Sequence, residues 1–200
     1  LRAMAYRTGA VADMNPIDRP RRSALYLPAS NAKAIAKART LPADVIILDL
    51  EDSVAPEAKV EAREAALEAV REGFGGREVA VRANGLDTPW GADDLLAIAG
   101  SSADAVLVPK VSSIEDIRHC EAALSAAPPQ MQLWAMVETC ACILRIDAIA
   151  AMSATTRLSL LAMGVNDLAK EMRARLTPER TPFLPFLSIA VAAARAHGLA

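Results

Sequence analysis

The feature that most constrains this chain is an alternation of short aliphatic runs with longer helix-patterned stretches, repeated from Arg21 to the end. The runs are Ser23–Pro28 (SALYLP), Asp44–Leu50 (DVIILDL), Glu78–Arg82 (EVAVR), Asp104–Pro109 (DAVLVP), Gln132–Glu138 (QLWAMVE) and Arg157–Gly164 (RLSLLAMG). Nearly continuous Val/Ile/Leu runs suit strands buried on both faces, which means parallel strands covered by helices. Between them, Ser30 is placed to cap a helix through Arg39, and Pro56 to start one that Gly73 ends. Val60, Leu67 and Val70 give that second helix an apolar stripe. Ser112 and Glu115 have capping-box spacing ahead of Ile114, Ile117 and Leu124. Thr181 and Pro182 open a last helix reaching roughly to Gly198. Strand, helix and strand in this order require right-handed crossovers, so the fold class is α/β with a parallel sheet. Two closures satisfy that: an open doubly wound sheet, or a (β/α)8 barrel of typically about 250 residues. With 200 residues, a barrel here lacks its last one or two β/α units and the C-terminal segment.

The residues at the strand ends favour the barrel. The second strand runs into Asp49-Leu50-Glu51-Asp52, the third into Arg82-Ala83-Asn84, and the fourth into Pro109-Lys110. The fifth ends in Glu138-Thr139 and the sixth leads to Asn166-Asp167. Active sites in such folds form at the C-terminal ends of the strands. A closed barrel brings these charges onto one axis, whereas an open sheet strings them along an edge. Several carboxylates with an arginine and a lysine, and no histidine, suit a hard cation with oxygen ligands such as Mg²⁺. His119 and His197 fall on helices, away from that rim. Arg82 offers a planar fork for a substrate carboxylate. Structural roles stay open for each residue: Glu51 or Asp52 capping a helix, Asp167 capping a helix over Leu168–Arg175, Arg82 and Lys110 serving as ion-pair partners.

Composition narrows the partners. The 22 basic and 24 acidic residues nearly cancel, so the charge balance predicts neither nucleic acid nor an anionic membrane as partner. No apolar run approaches the ~18 residues of a membrane helix. Cys120, Cys140 and Cys142 are odd in number and form no C-x-x-C pair, which predicts a reduced, cytoplasmic protein. Cys140 and Cys142 are expected as small buried fillers. Residues 1–20 are expected to be a flexible arm, with Met14 a candidate start, and residues 21–200 the catalytic barrel domain.

The segments RSALYLPAS, DVIILDLEDSVAPEAK, VRANGLDTPW, AVLVPKV, LWAMVET and GVNDLAKEMRARLTPER together resemble the HpcH/HpaI aldolase/citrate lyase family. The likeness is strongest to its branch of citrate lyase β-subunit-like and malyl-CoA or citramalyl-CoA lyases. It implies a (β/α)8 barrel, a homotrimer or hexamer, and Mg²⁺ held by Glu138 and Asp167. It also implies that Arg82 binds the substrate carboxylate or carbonyl oxygen, with the acids Glu51 and Asp52 near the metal and its waters. Arg22, Tyr26 and Lys33 are implied in substrate binding, near the CoA portion. Family members commonly read ET-x-x-G after the fifth strand. Here Glu138-Thr139-Cys140-Ala141-Cys142 has no glycine, which predicts added bulk beside the metal. Family lyases also take an acid from a C-terminal segment, which would lie beyond Ala200.

The activity so implied is Mg²⁺-dependent, reversible cleavage of a 3-hydroxyacyl-CoA into an acyl-CoA and a 2-oxo acid. Two rival expectations are a CoA-independent 2-oxo acid (pyruvate) aldolase, and a non-catalytic binding or scaffold subunit of the same fold.

Overall fold

The computed structural model describes residues 19–200. Most of the expected N-terminal arm, Met14 included, therefore lies outside the described residues. Six strands form one parallel sheet: β1 Ala24–Pro28, β2 Val45–Asp49, β3 Glu78–Arg82, β4 Ala105–Val108, β5 Gln132–Val137 and β6 Leu158–Met163. They are the six runs seen in the sequence, trimmed by at most a residue at either end. Each strand pairs with its predecessor, in the order β1-β2-β3-β4-β5-β6. A doubly wound sheet reverses its order at a switch point. Unbroken sequential order is instead that of barrel staves. At the last residue, Ala200 donates its N–H to the Ser159 carbonyl (3.0 Å) and accepts from Leu161 N–H (3.1 Å). That is the bonding of a parallel neighbour, so Ala200 pairs with the edge of β6.

Alternation along the strands separates two apolar layers. Val45, Ile47, Ala80, Ala105, Leu107, Trp134 and Met136 face one another inside the curved sheet. Ile46, Leu48, Val79, Val81, Val106, Leu133 and Val137 face outward and pack under the helices. Those helices are α1 Ala32–Ala38, α2 Lys59–Glu72, α3 Gly91–Ala99, α4 Ile114–Ala123, α5 Cys140–Ala151, α6 Val165–Met172 and α7 Leu184–Ala196. Fully burying each Val, Leu or Ile contributes about 1.5–3 kcal/mol, so the outer layer is where most of the driving force lies.

Several local expectations shift. Asn31, not Ser30, caps α1, accepting from Ala34 N–H at 3.0 Å. The capping box is Ser113 with Asp116, one residue beyond Ser112 and Glu115. The buried stripe of α2 is Ala62, Ala66, Ala69 and Val70, while Val60 is exposed. Small alanines let the helix lie close to the sheet, so propensity and packing agree there. The final helix begins with a 3-10 turn over Thr181–Phe183 and ends at Ala196. Cys142 is buried as expected, but Cys140 is partly exposed. Among the described residues, no helix is long and apolar enough to cross a membrane.

Candidate active site

The inward phase of each strand decides which polar side chain reaches the rim. On β2, Val45 and Ile47 point inward, so Asp49 and then Glu51 follow at the C-terminal end. On β3, Ala80 is inward and Arg82 ends the same row. On β5, Trp134 and Met136 are inward and Glu138 comes next. Asp49 and Arg82 are register partners across β2 and β3.

The rim is organised around Arg82, which is buried. Its Nε and Nη2 donate to the two oxygens of Asp49, both at 2.7 Å. Its Nη1 lies 2.9 Å from Glu51 Oε2 and 3.3 Å from Asp52 Oδ2. The Glu51 contact is not aligned as a hydrogen bond. The Tyr26 ring lies 5.5 Å below the guanidinium, a cation–π contact. Burial pushes the Tyr26 hydroxyl's pKa up. For Asp49, burial opposes ionisation, but the Arg82 fork prevails and holds the carboxyl below its usual range. The fork that the sequence offered to a substrate carboxylate is therefore taken by Asp49. What faces the cleft is the Nη1 side, already flanked by Glu51 and Asp52.

Behind this layer, Lys59 is buried and donates to the Leu50 carbonyl (2.8 Å) and the Glu51 carbonyl (2.7 Å). It thereby fixes the turn that carries the β2 acids. Buried Asp94 accepts from the Asn84 backbone (3.0 Å) and side chain (2.6 Å), and from Arg63 (3.1 Å). These bonds anchor the loop that follows Arg82. Gly91 allows that loop to close, since a Cβ there would sit 2.3 Å from the Gly85 carbonyl oxygen.

Glu138 is the exceptional carboxylate. It is 2% exposed, and among the described residues its side chain accepts one hydrogen bond, from the Lys110 backbone N–H to Oε1 at 2.7 Å. Burial, with the nearby charges of Glu51 and Asp167, raises its pKa to about 7. Gly164 is what lets it fit: a Cβ there would stand 2.4 Å from Glu138 Oε2 and 2.6 Å from Glu138 Cβ. Asp167 is not the cap of a Leu168–Arg175 helix: α6 starts three residues earlier, at Val165 with Gly164 as its cap, which puts Asp167 inside the first turn. Its Oδ1 accepts from Lys170 at 2.6 Å, which holds its carboxyl below the usual range. Lys110 Nζ approaches Asp167 Oδ2 to 4.0 Å and bonds Glu51. A cleft of about 750 Å³ opens over these groups, lined by Tyr26, Asp49, Asp52, Arg82, Glu138 and Asp167 among others.

Among the described residues, no group of three or more His, Cys, Asp or Glu side chains is arranged to hold a metal by itself. Mg²⁺ does not require one, since it binds through one or two carboxylates and keeps waters and substrate oxygens. The donor set fits it. Glu138 and Asp167 face one cleft, and the charge of Asp167 opposes ionisation of Glu138, a conflict that a divalent cation relieves.

Of the residues expected at the site, the structure brings together Arg82, Glu51, Asp52, Tyr26, Glu138 and Asp167. Lys33 is exposed in the first turn of α1, at the same end of the sheet. Arg22 is not brought there. It precedes β1, and its guanidinium pairs with Asp44, just before β2, at the opposite end. The bulk expected from the missing glycine does not reach the cleft either. Cys142 is fully buried in α5, with its backbone N–H bonded to Thr139. The close approach to Glu138 comes from Gly164 instead. Three site residues were missed. Asp49 was legible from the inward phase of β2, whereas nothing local in the sequence singles out Gly164 or Lys59.

With this geometry in place, the likeness to known proteins can be weighed. The family model described as HpcH/HpaI aldolase/citrate lyase matches residues 22–200. A (3S)-malyl-CoA thioesterase of Cereibacter sphaeroides is 45% identical over 181 residues, covering 90% of this chain and 61% of that protein. An L-malyl-CoA/beta-methylmalyl-CoA lyase of the same species is 37% identical over 172 residues, covering 81% of this chain and 54% of that protein. Among solved structures, a citrate lyase beta subunit from M. tuberculosis complexed with oxaloacetate and magnesium superposes with a TM-score of 0.72 at 28% identity. It covers 90% of this chain and 77% of that one. The chain spans 54–61% of the length of these two curated relatives.

Proposed function

The chain belongs to the HpcH/HpaI aldolase/citrate lyase family, and we propose that its rim binds Mg²⁺ through Glu138 and Asp167 to cleave a malyl-type 3-hydroxyacyl-CoA. The products would be an acyl-CoA and a 2-oxo acid. The observation that carries this reading is Glu138: a buried carboxylate, given room by Gly164, held by a single backbone N–H among the described residues and sharing the cleft with Asp167. Burying such a group is costly where the nearby Lys110 charge does not offset the desolvation and the neighbouring acids, unless something binds there. The magnesium–oxaloacetate complex of the structural relative supports the same choice of ion and of ligand class.

When bound, Mg²⁺ supplies a Lewis acid for the oxyanion of the hydroxy- or oxo-acid portion. Glu138 and Asp167 fix where that charge sits. The Nη1 edge of Arg82 meets the same portion and helps neutralise it. Asp49 keeps the guanidinium plane from turning, so orientation is set before substrate arrives. Buried Glu51, whose pKa burial raises despite its bond to Lys110, stands 2.9 Å from Arg82 Nη1.

A second reading, thioester hydrolysis, is favoured by the 45% identity to a malyl-CoA thioesterase. The CoA-independent aldolase, which by the family likeness would use a histidine base at the rim, loses ground, because His119 is exposed on α4 and His197 pairs with Asp147. Incubation of the protein with (3S)-malyl-CoA and Mg²⁺ separates these readings. Acetyl-CoA with glyoxylate supports the lyase, and malate with free CoA supports hydrolysis. No Mg²⁺-dependent turnover of the thioester would overturn both and leave the scaffold reading.

A further inference from the structure

Lys110 follows β4 and is one of three described non-glycine residues with positive φ, at 55°. The other two, Arg173 and Arg180, lie in the segment between α6 and α7. A left-handed backbone is unfavourable for lysine and persists only where its surroundings over-determine it. Here they do. The Lys110 carbonyl accepts from Ser112 Oγ at 3.0 Å, and Ser112 Oγ meets Thr139 Oγ1 at 3.0 Å. Thr139 Oγ1 also reaches the Val111 carbonyl at 3.3 Å. Asp116 receives the Ser112 and Ser113 N–H groups at 2.8 and 2.9 Å. The turn after β4 is thus tied on one side to α4 and on the other to Thr139, the residue after Glu138.

The product of this locked turn is a single N–H aimed at Glu138 Oε1, 2.7 Å away. With the residue in the extended region, the chain after it would leave its ties to Thr139 and Asp116, and with them the support that holds the Pro109–Lys110 peptide and its N–H against Glu138. The ammonium of the same residue goes a different way, to Glu51, with Asp167 4.0 Å off. Main chain and side chain therefore touch different carboxylates.

We propose that Lys110 is a positioning residue for the metal half of the site: its left-handed main chain orients Glu138, and its ammonium is a counter-charge for Glu51. This rests on the proposed Mg²⁺ role of Glu138 and assigns the orienting task to a backbone geometry. One carboxylate oxygen is held by the N–H, which leaves the other for the ion.

Two substitutions that both remove the ammonium separate the two tasks. Asparagine visits the left-handed region readily, and β-branched valine does not. Calorimetric Mg²⁺ titration of the protein should give Lys110→Asn an affinity within about threefold of wild type, since a neighbouring positive charge is lost and the N–H is kept. Lys110→Val should bind about 10–100-fold more weakly, the range seen when a ligand's supporting partner is lost. Thermal unfolding of each variant checks folding. If Lys110→Val does not fold, Lys110→Ala takes its place, with a smaller loss of the same sign. Equal weakening in the Asn and Val (or Ala) variants would overturn the proposal, because the ammonium alone would then account for the effect. Wild-type protein that binds no Mg²⁺ would instead overturn the metal reading beneath it, and this proposal with it.

Discussion

The two ends of the barrel each carry a bidentate arginine–carboxylate pair whose carboxylate is buried, and they differ in what surrounds it. At the N-terminal end, Glu78 is fully buried and receives Arg21 at 2.6 and 2.7 Å, with Arg19 3.6 Å away. Arg21 also lies over the Trp134 ring, 5.3 Å from its centroid. One carboxylate there meets two arginines, and the pair caps the inner core. At the C-terminal end, Arg82 and Asp49 form the same fork, but Glu51, Asp52, Glu138 and Asp167 crowd beside it. Negative charge is satisfied at one end and left in excess at the other. A buried ion pair is weak evidence of stability gained. A buried carboxylate in a cleft whose neighbours leave its pKa raised points to something to be bound. The same chemical motif therefore closes the barrel at one end and builds a site at the other, where barrel enzymes place their chemistry.

Mutations should divide along this line, and the largest effect belongs to the rim. Glu138→Ala is expected to lower kcat/KM by at least about a thousandfold, roughly 4 kcal/mol of transition-state stabilisation. Its unfolding midpoint should hold or rise, because an unfavourable buried carboxylate is gone. A fall in stability with activity retained would erase the distinction between the ends.

Glu78→Ala tests the other end. It breaks the ion pair that the buried Glu78 makes with Arg21 and Arg19, and is expected to cost about 3–5 kcal/mol of stability, read by denaturant or thermal unfolding. Turnover per folded molecule should be unchanged. Gly164→Ala sharpens the contrast with a single methyl group. Its Cβ would stand 2.4 Å from Glu138 Oε2, so the carboxylate must shift. A displacement of about 1 Å can cost on the order of a hundredfold in rate, measurable as kcat at saturating substrate.

The smallest effect is in the pH dependence. Glu138 titrates at about 7 in the fold, against 4.5 ordinarily. Between those values the folded state holds a proton that the unfolded state has released. Stability of the metal-free protein should therefore fall as pH rises through that window, and level off above it. Glu138→Gln should flatten the slope, and Mg²⁺ should stabilise the protein more above pH 7 than near pH 5. Thermal unfolding at both pH values, with Mg²⁺ and with EDTA, measures each difference.

Much of this was legible in the sequence because barrel architecture is written in alternation. The aliphatic runs located the strands, and Arg82, Glu51, Glu138 and Asp167 followed from their ends. The errors have physical causes. Ser112 and Ser113 have equivalent capping spacing, and tertiary contact with Thr139 drew Ser112 away. Arg22 was placed near the substrate by family likeness, although a residue preceding β1 must lie at the N-terminal end. Gly164 and Lys110 matter through contacts to Glu138 across neighbouring strands, which no local pattern encodes.

The central claim is that the excess carboxylates of the C-terminal end hold a divalent ion. A crystal of the protein soaked in Mn²⁺, a Mg²⁺ substitute with strong anomalous scattering, tests it directly. The account predicts one dominant anomalous peak between the Glu138 and Asp167 carboxylates. Full Mn²⁺ occupancy at another location, with that position empty, would contradict it.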